Sequence, residues 1–136
     1  MAMDPNWSLT NENSIAHGII GAAIRVHSKI GPGLLESAYA LALRVELEES
    51  GFDVREQVAV PMVYKGKELG VAYKLDMLVN DRVIVEIKSV EALAPVHYAQ
   101  TLTYLRLADK RLGLLMNFNC VKMREGIHRV VNKLEE

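Results

Sequence analysis

Leu75-Asp76-Met77-Leu78-Val79-Asn80-Asp81-Arg82-Val83-Ile84-Val85-Glu86-Ile87-Lys88-Ser89 is the stretch whose reading decides the fold. Two apolar runs rich in branched side chains flank Asn80-Asp81, residues that suit a compact hairpin turn, so the stretch reads as an antiparallel pair of strands. Side chains alternate along a strand, which puts Val83, Val85 and Ile87 on one face and Ile84, Glu86 and Lys88 on the other. Pairing about the turn sets positions whose numbers sum to about 161 opposite one another, so Asp76 falls near Val85 and Glu86. Two carboxylates and a lysine then converge on an otherwise apolar hairpin. Such charges are costly to desolvate unless they are paired or bound to a metal.

Upstream of the hairpin, Thr10 or Asn11 can cap a helix in which Ile15, Ile19, Ala22, Ala23, Val26 and Ile30 recur at helical spacing. Gly31-Pro32-Gly33 ends it. A second helix is expected from about Leu34 to Ser50, with Gly51 as its stop. The period then changes to two, and Val58, Val60 and Met62 mark a strand ahead of a Lys65-Gly66-Lys67 turn. The next strand runs from about Leu69 to Val79 and the third from Arg82 to Val90. Pro95 suits the first turn of a helix extending to about Ala108. Leu112 to Phe118 is an apolar strand, and a short strand or ordered tail is expected around Ile127 to Val131. The order α-α-β-β-β-α-β predicts an α/β fold, a mixed β-sheet flanked by helices. Residues 1–9 are expected to be a disordered or tag-like lead, and residues 10–136 a single domain.

Half of the 136 residues are hydrophobic and 24% are charged, a globular profile rather than a disordered one. The apolar runs are too short for a membrane span and no signal peptide is visible, so a cytoplasmic location is expected. Cys120 has no second thiol with which to form a disulfide or a zinc site. Of His17, His27, His97 and His128, none has the helical partner of a zinc hydrolase; His97, one turn before Gln100, is a candidate for the edge of a site. Gly31-Pro32-Gly33 is too short for a phosphate-cradling loop, and Trp7 and Tyr98 form no repeated platform for stacking bases. The net charge is −1, but residues 106–136 hold seven bases against four acids, whereas residues 1–56 hold four bases against eight acids. A basic C-terminal third can meet phosphates locally, and a solvated mixed surface explains the same asymmetry equally well.

Close carboxylates such as Asp76 and Glu86 repel unless a cation neutralises them. A hard divalent ion, Mg²⁺ or Mn²⁺, does so with oxygen ligands and keeps room for waters and a substrate phosphate. Lys88 beside it can position an attacking water or stabilise the oxyanion, so the trio suits hydrolysis of a phosphodiester. An internal ion pair between Lys88 and Asp76 or Glu86, with no chemistry, accounts for the same residues. Glu36 near a helix N-terminus is, alone, a favourable helix charge, and Gln100 with Tyr104 four residues later is, alone, a polar stripe.

Gly33-Leu34-Leu35-Glu36-Ser37-Ala38-Tyr39 resembles the signature of the GxxExxY proteins, a prokaryotic family of the PD-(D/E)XK nuclease superfamily. The resemblance extends over about residues 10–131, through Val26-His27, Leu75 to Val79, Val83 to Lys88, Ala99 to Leu105 and Leu112 to Phe118. It implies a restriction-endonuclease-like core, nuclease activity on DNA, and Mg²⁺ or Mn²⁺ as cofactor. It further implies that Asp76 and Glu86 hold the ion with the Ile87 carbonyl, that Lys88 acts on the water, and that Glu36 supports the metal directly or through water. Gln100 and Tyr104 are similar to a Gln-x-x-x-Tyr element of RecB-like exonucleases. Leu75 stands where the superfamily's name-giving proline would be, and Lys74 where family members often carry arginine, which leaves a phosphate contact there open. The rival expectation is a non-catalytic binding module or assembly partner that keeps the fold, since a motif can persist without its activity. A homodimer suits either, because a unit of this size offers little surface to grip a duplex.

Overall fold

A computed structural model describes residues 11–135. Helix α1 spans Glu12–Ile30 and α2 spans Glu36–Glu49. Strands β1 (Val54–Tyr64), β2 (Lys67–Val79) and β3 (Val83–Lys88) follow, then helix α3 (Pro95–Ala108), strand β4 (Leu112–Asn117), a helical turn α4 (Met123–Gly126) and strand β5 (Ile127–Val131). The strands form one mixed sheet in the order β1-β2-β3-β4-β5, with β3 and β4 parallel and the other neighbours antiparallel. This is the expected α/β architecture with one addition and one shorter strand. The turn α4 is too short to leave a periodic signal, and β3 ends at Lys88 rather than Val90. The Asn11 side chain caps α1 through Ser14 N–H; Thr10 and the expected lead lie outside the described residues.

Helices α1 and α2 cover one face of the sheet. Ile15, Ile19, Ala22, Ala23 and Val26 of α1 pack with Tyr39, Leu43 and Leu47 of α2 over Val83, Val85 and Ile87 of β3 and Leu112, Leu114 and Met116 of β4. Helix α3 covers the other face, where Tyr104 and Leu105 meet Ile84, Leu75, Leu78 and Val60. The expected alternation in β3 therefore holds: its odd positions face α1 and α2, and Ile84 faces α3.

The register across the turn is Met77 with Val85, Leu78 with Ile84 and Val79 with Val83. Arg82 belongs to the turn, donating its N–H to the Val79 carbonyl, and Asn80 and Asp81 both take the left-handed backbone, with φ of 51° and 55°. The three-residue turn sets the pairing within the expected range, and of the two expected neighbours it is Glu86 that Asp76, just beyond the last pair, meets.

The first hairpin changes faces partway along. Val54 and Met77 belong to the core under α1 and α2, whereas Val60 and Leu75, at the same strand parity, belong to the core under α3. The pairing runs Glu56 with Met77 and Val58 with Leu75 and skips the Gln57–Asp76 step between them. Gln57 has a φ of 51°, outside the extended region, so the crossover happens there. Asp76 thus sits at a break in the ladder, where its backbone is released from regular pairing.

At the far end of β4, Asn117 clamps the chain that leaves β3. Its side-chain amide donates to the Val90 carbonyl and its amide oxygen accepts the Val90 N–H, at 3.0 and 3.1 Å. A Cβ placed on Gly126 would lie 2.3 Å from the Asn117 carbonyl oxygen and 2.9 Å from Cys120 Sγ. Gly126→Ala is therefore expected to destabilise the chain by about 1–3 kcal/mol, the range for overpacking a closed site, read as a lower urea midpoint with an unchanged slope.

Candidate active site

The break at Asp76 leaves two main-chain donors that the carboxylates take up. Asp76 N–H donates to Glu86 Oε2 at 2.9 Å, and Ile87 N–H donates to Asp76 Oδ2 at 2.7 Å. Each acid is thereby held against the other's strand. Glu86 is only 4% exposed, and Asp76 is half-buried. Burial, then the charge of Asp76, push the Glu86 carboxyl up to about 8; the Asp76 N–H and the charge of Lys88 oppose them, and a hydrogen bond between the two carboxyls adds to the rise.

Lys88 follows on the same strand, half-buried. It is near enough to lower the Glu86 value, yet among the described residues it closes no ion pair within 4.0 Å. The internal salt bridge that the sequence left open is not what these side chains form.

Glu36 reaches this region through a loop held by Tyr39. The fully buried Tyr39 ring stacks on Phe118 with centroids 4.5 Å apart. Its hydroxyl donates to the Gly31 carbonyl at 2.6 Å and accepts the Leu34 N–H at 3.2 Å. Gly31 and Gly33 have φ of 69° and 97°, values that other residues adopt only with strain. The loop delivers Glu36 to the first turn of α2, where its carboxylate accepts the Ser89 N–H at 3.4 Å, while Ser89 Oγ donates to the Leu34 carbonyl at 2.6 Å. A cleft of about 200 Å³ is lined by Glu36, Ser37, Ala40, Gln57, Asp76 and Ile87. Glu36, Asp76 and Ile87 therefore border one space.

Tyr104 approaches from α3. Burial pushes its phenol up, and the charges of Glu86, Asp76 and Tyr73 add to the rise, which places it within the field of both acids. Gln100, one turn earlier, is exposed and forms no hydrogen bond with the trio among the described residues. His97 is a helix-end residue rather than part of the site edge: its Nδ1 accepts the Ala94 N–H at 3.0 Å and its own N–H returns to the Ala94 carbonyl. Gln57, Ser37 and Ser89 were not singled out by the sequence. Ser89, adjoining the Glu-x-Lys pattern, carried the one available signal; the other two are placed by contacts distant along the chain.

The donor set suits a hard cation. Among the described residues no three Asp, Glu, His or Cys side chains form a ready ligand group. Asp76 and Glu86 would then be supplemented by a main-chain oxygen such as that of Ile87 and by substrate, an open set of oxygen donors that a hard divalent cation accepts.

No helix among the described residues is long and apolar enough to cross a membrane. No curated protein matches the chain. A solved structure described as "Crystal structure of SSO0001" covers 86% of this chain and 67% of its own, at 15% identity and a TM-score of 0.49, too distant to bear on function. The sequence profile of the PD-(D/E)XK nuclease superfamily matches residues 13–130, nearly the whole chain and all of the site just described. The chain belongs to the PD-(D/E)XK nuclease superfamily.

Proposed function

We propose that the protein is a metal-dependent nuclease that hydrolyses phosphodiester bonds in DNA. The observation that carries this reading is the buried Asp76–Glu86 pair, which has Lys88 nearby but bonded to neither acid. Burying Glu86 beside the half-buried Asp76 without a countercharge in contact is unfavourable, and a cation is what the pair lacks. Asp76 and Glu86, with the Ile87 carbonyl, are the residues to hold Mg²⁺ or Mn²⁺. When bound, such an ion supplies Lewis-acid and template chemistry at a phosphate.

The chain's own residues do the rest. Lys88 orients the attacking water or meets the negative charge that develops on phosphorus. Glu36, braced at Ser89, supports the ion from the cleft side, directly or through water. Tyr104 braces the acids from the α3 side, and Gln100 meets substrate at the helix surface. Attack at phosphorus leaves a 5′-phosphate and a 3′-hydroxyl. The GxxExxY assignment within the superfamily rests on Gly33, Glu36 and Tyr39, and a second copy of the chain would widen the grip on nucleic acid.

The net charge of −1 favours a second reading, a non-catalytic binding module or assembly partner on the same fold. One assay separates the two. Labelled linear, single-stranded and branched DNA and RNA are incubated with the protein in Mg²⁺, Mn²⁺ or EDTA, beside Glu86→Ala and Lys88→Ala. Metal-dependent cleavage that falls at least ~100-fold in both variants supports the enzyme, since loss of one charge-stabilising group at a reaction centre has this order of effect. Equal cleavage by parent and variants would point to a contaminant and end the proposal.

A further inference from the structure

We propose that Tyr73 is a platform for an unpaired base and that the strand cut at the Asp76–Glu86 site is therefore single or locally melted. This deepens the nuclease reading and rests on it.

Tyr73 lies on β2 three residues before Asp76, opposite Val60, so its ring is on the α3 side of the hairpin. Its centroid is 5.7 Å from that of Tyr104, with the rings inclined at 43°. The two tyrosines divide their roles by exposure. Tyr104 is 7% exposed and lies in the field of both acids, whereas Tyr73 is 37% exposed. The Tyr73 ring thus leans on a buried neighbour while the residue keeps more than a third of its surface exposed. A ring held in this way loses little freedom when a base stacks on it, and stacking is indifferent to base identity.

The charge around the site points the same way. Gripping a duplex typically engages some 6–10 phosphates through Lys and Arg. The hairpin carries Lys74, at the opposite strand parity to Tyr73, and Lys88 follows on β3; Lys65 and Lys67 stand at the hairpin's tip, and the whole chain carries −1. Few cations and one open aromatic ring fit a flexible single strand, whose bases are free to leave their stack, better than a rigid duplex. Tyr73 pairs with Val60 across the hairpin and meets the Tyr104 ring, so a substitution that keeps an apolar side chain separates loss of the ring from loss of apolar cover.

The test uses Tyr73→Leu, which keeps an apolar cover, and Tyr73→Phe, which keeps the ring. Thermal melts verify that both fold. Binding is measured in Ca²⁺ by fluorescence anisotropy of single-stranded and blunt duplex oligonucleotides, with 2-aminopurine as an internal stacking reporter. Tyr73→Leu is expected to weaken single-strand binding about 10-fold, the order for loss of one base–aromatic stack, and to abolish the change in 2-aminopurine emission, while Tyr73→Phe stays near the parent. In Mg²⁺ or Mn²⁺ the parent is expected to cut single strands faster than blunt duplex, and Tyr73→Leu to lose that preference. Unchanged single-strand affinity and emission in Tyr73→Leu would overturn the proposal, as would a parent that binds duplex and single strand alike. If the parent cuts nothing in any metal, the nuclease reading fails, while the binding and emission measurements still decide whether Tyr73 stacks a base.

Discussion

In EDTA at pH 9, Glu86→Gln is expected to be more stable than the parent chain, by up to about 5 kcal/mol. The Glu86 carboxyl rises from an ordinary value of 4.5 to about 8 in the folded chain. A raised acid means that the folded state keeps a proton the unfolded state has already released. Its stabilising contribution is complete below about pH 4.5, declines as pH climbs, and is gone above about pH 8. A difference of about 3.5 units at 1.36 kcal/mol each sets the upper bound of about 5 kcal/mol, and relaxation around the acid lowers it. Glutamine does not titrate, retains an oxygen for the Asp76 N–H and adds a donor for the Asp76 carboxylate. Urea melts at pH 5, 7 and 9 should therefore show the parent weakening with pH and the variant holding level. Adding Mg²⁺ or Mn²⁺ should reverse the order, because a cation that binds only the folded parent stabilises it in proportion to the logarithm of its concentration. A parent whose metal-free stability is flat from pH 5 to 8 would show that Glu86 is not desolvated as described.

Tyr39→Ala is expected to cost about 3–5 kcal/mol, the usual range for removing a buried aromatic side chain, and to leave a chain of modest stability partly unfolded at 37 °C. Tyr39 is fully buried against Phe118, and its hydroxyl serves two main-chain groups of the loop before Glu36. Tyr39→Phe separates packing from polar support. It keeps the stack, leaves the Leu34 N–H and the Gly31 carbonyl without their partner, and should cost about 1–3 kcal/mol. Hydrogen exchange at Leu34 should quicken in Tyr39→Phe while the β3 and β4 amides keep their protection. Equal exchange at Leu34 in parent and variant would mean that the hydroxyl does not hold the loop.

Local signals made much of this legible in advance. The apolar spacing of α1, the Pro95 start of α3 and the two-residue period of β3 are all properties of short windows, and the structure follows each. The hairpin brought Asp76 beside Glu86 as expected, but the third strand starts at Val83 rather than Arg82, because a side-chain pattern does not reveal whether Arg82 starts the strand or completes the turn. Gln57 offers no turn signature, yet its positive φ moves the hairpin from one core to the other and frees the donors that Asp76 and Glu86 take up. The link from Glu36 to Ser89 joins residues 53 positions apart, and the Tyr73–Tyr104 contact joins a strand to a helix. Neither has a periodicity to betray it. His97 looked available for chemistry because one helical turn separates it from Gln100, whereas the unfilled bond at the start of α3 claims its ring.

The crossing of β1 and β2 from one core to the other has a consequence for how such a chain can diversify. Beyond Gln57 and Asp76 the hairpin first packs on α3 through Val60, Tyr73 and Leu75 and then runs on to its tip at Lys65–Lys67. Insertions or exchanges at the Lys65–Lys67 tip would alter reach and surface chemistry without shifting either acid. The hairpin behaves as an interchangeable fingertip on a fixed knuckle, so new preferences for what is grasped can be acquired while the acids beneath stay where they are.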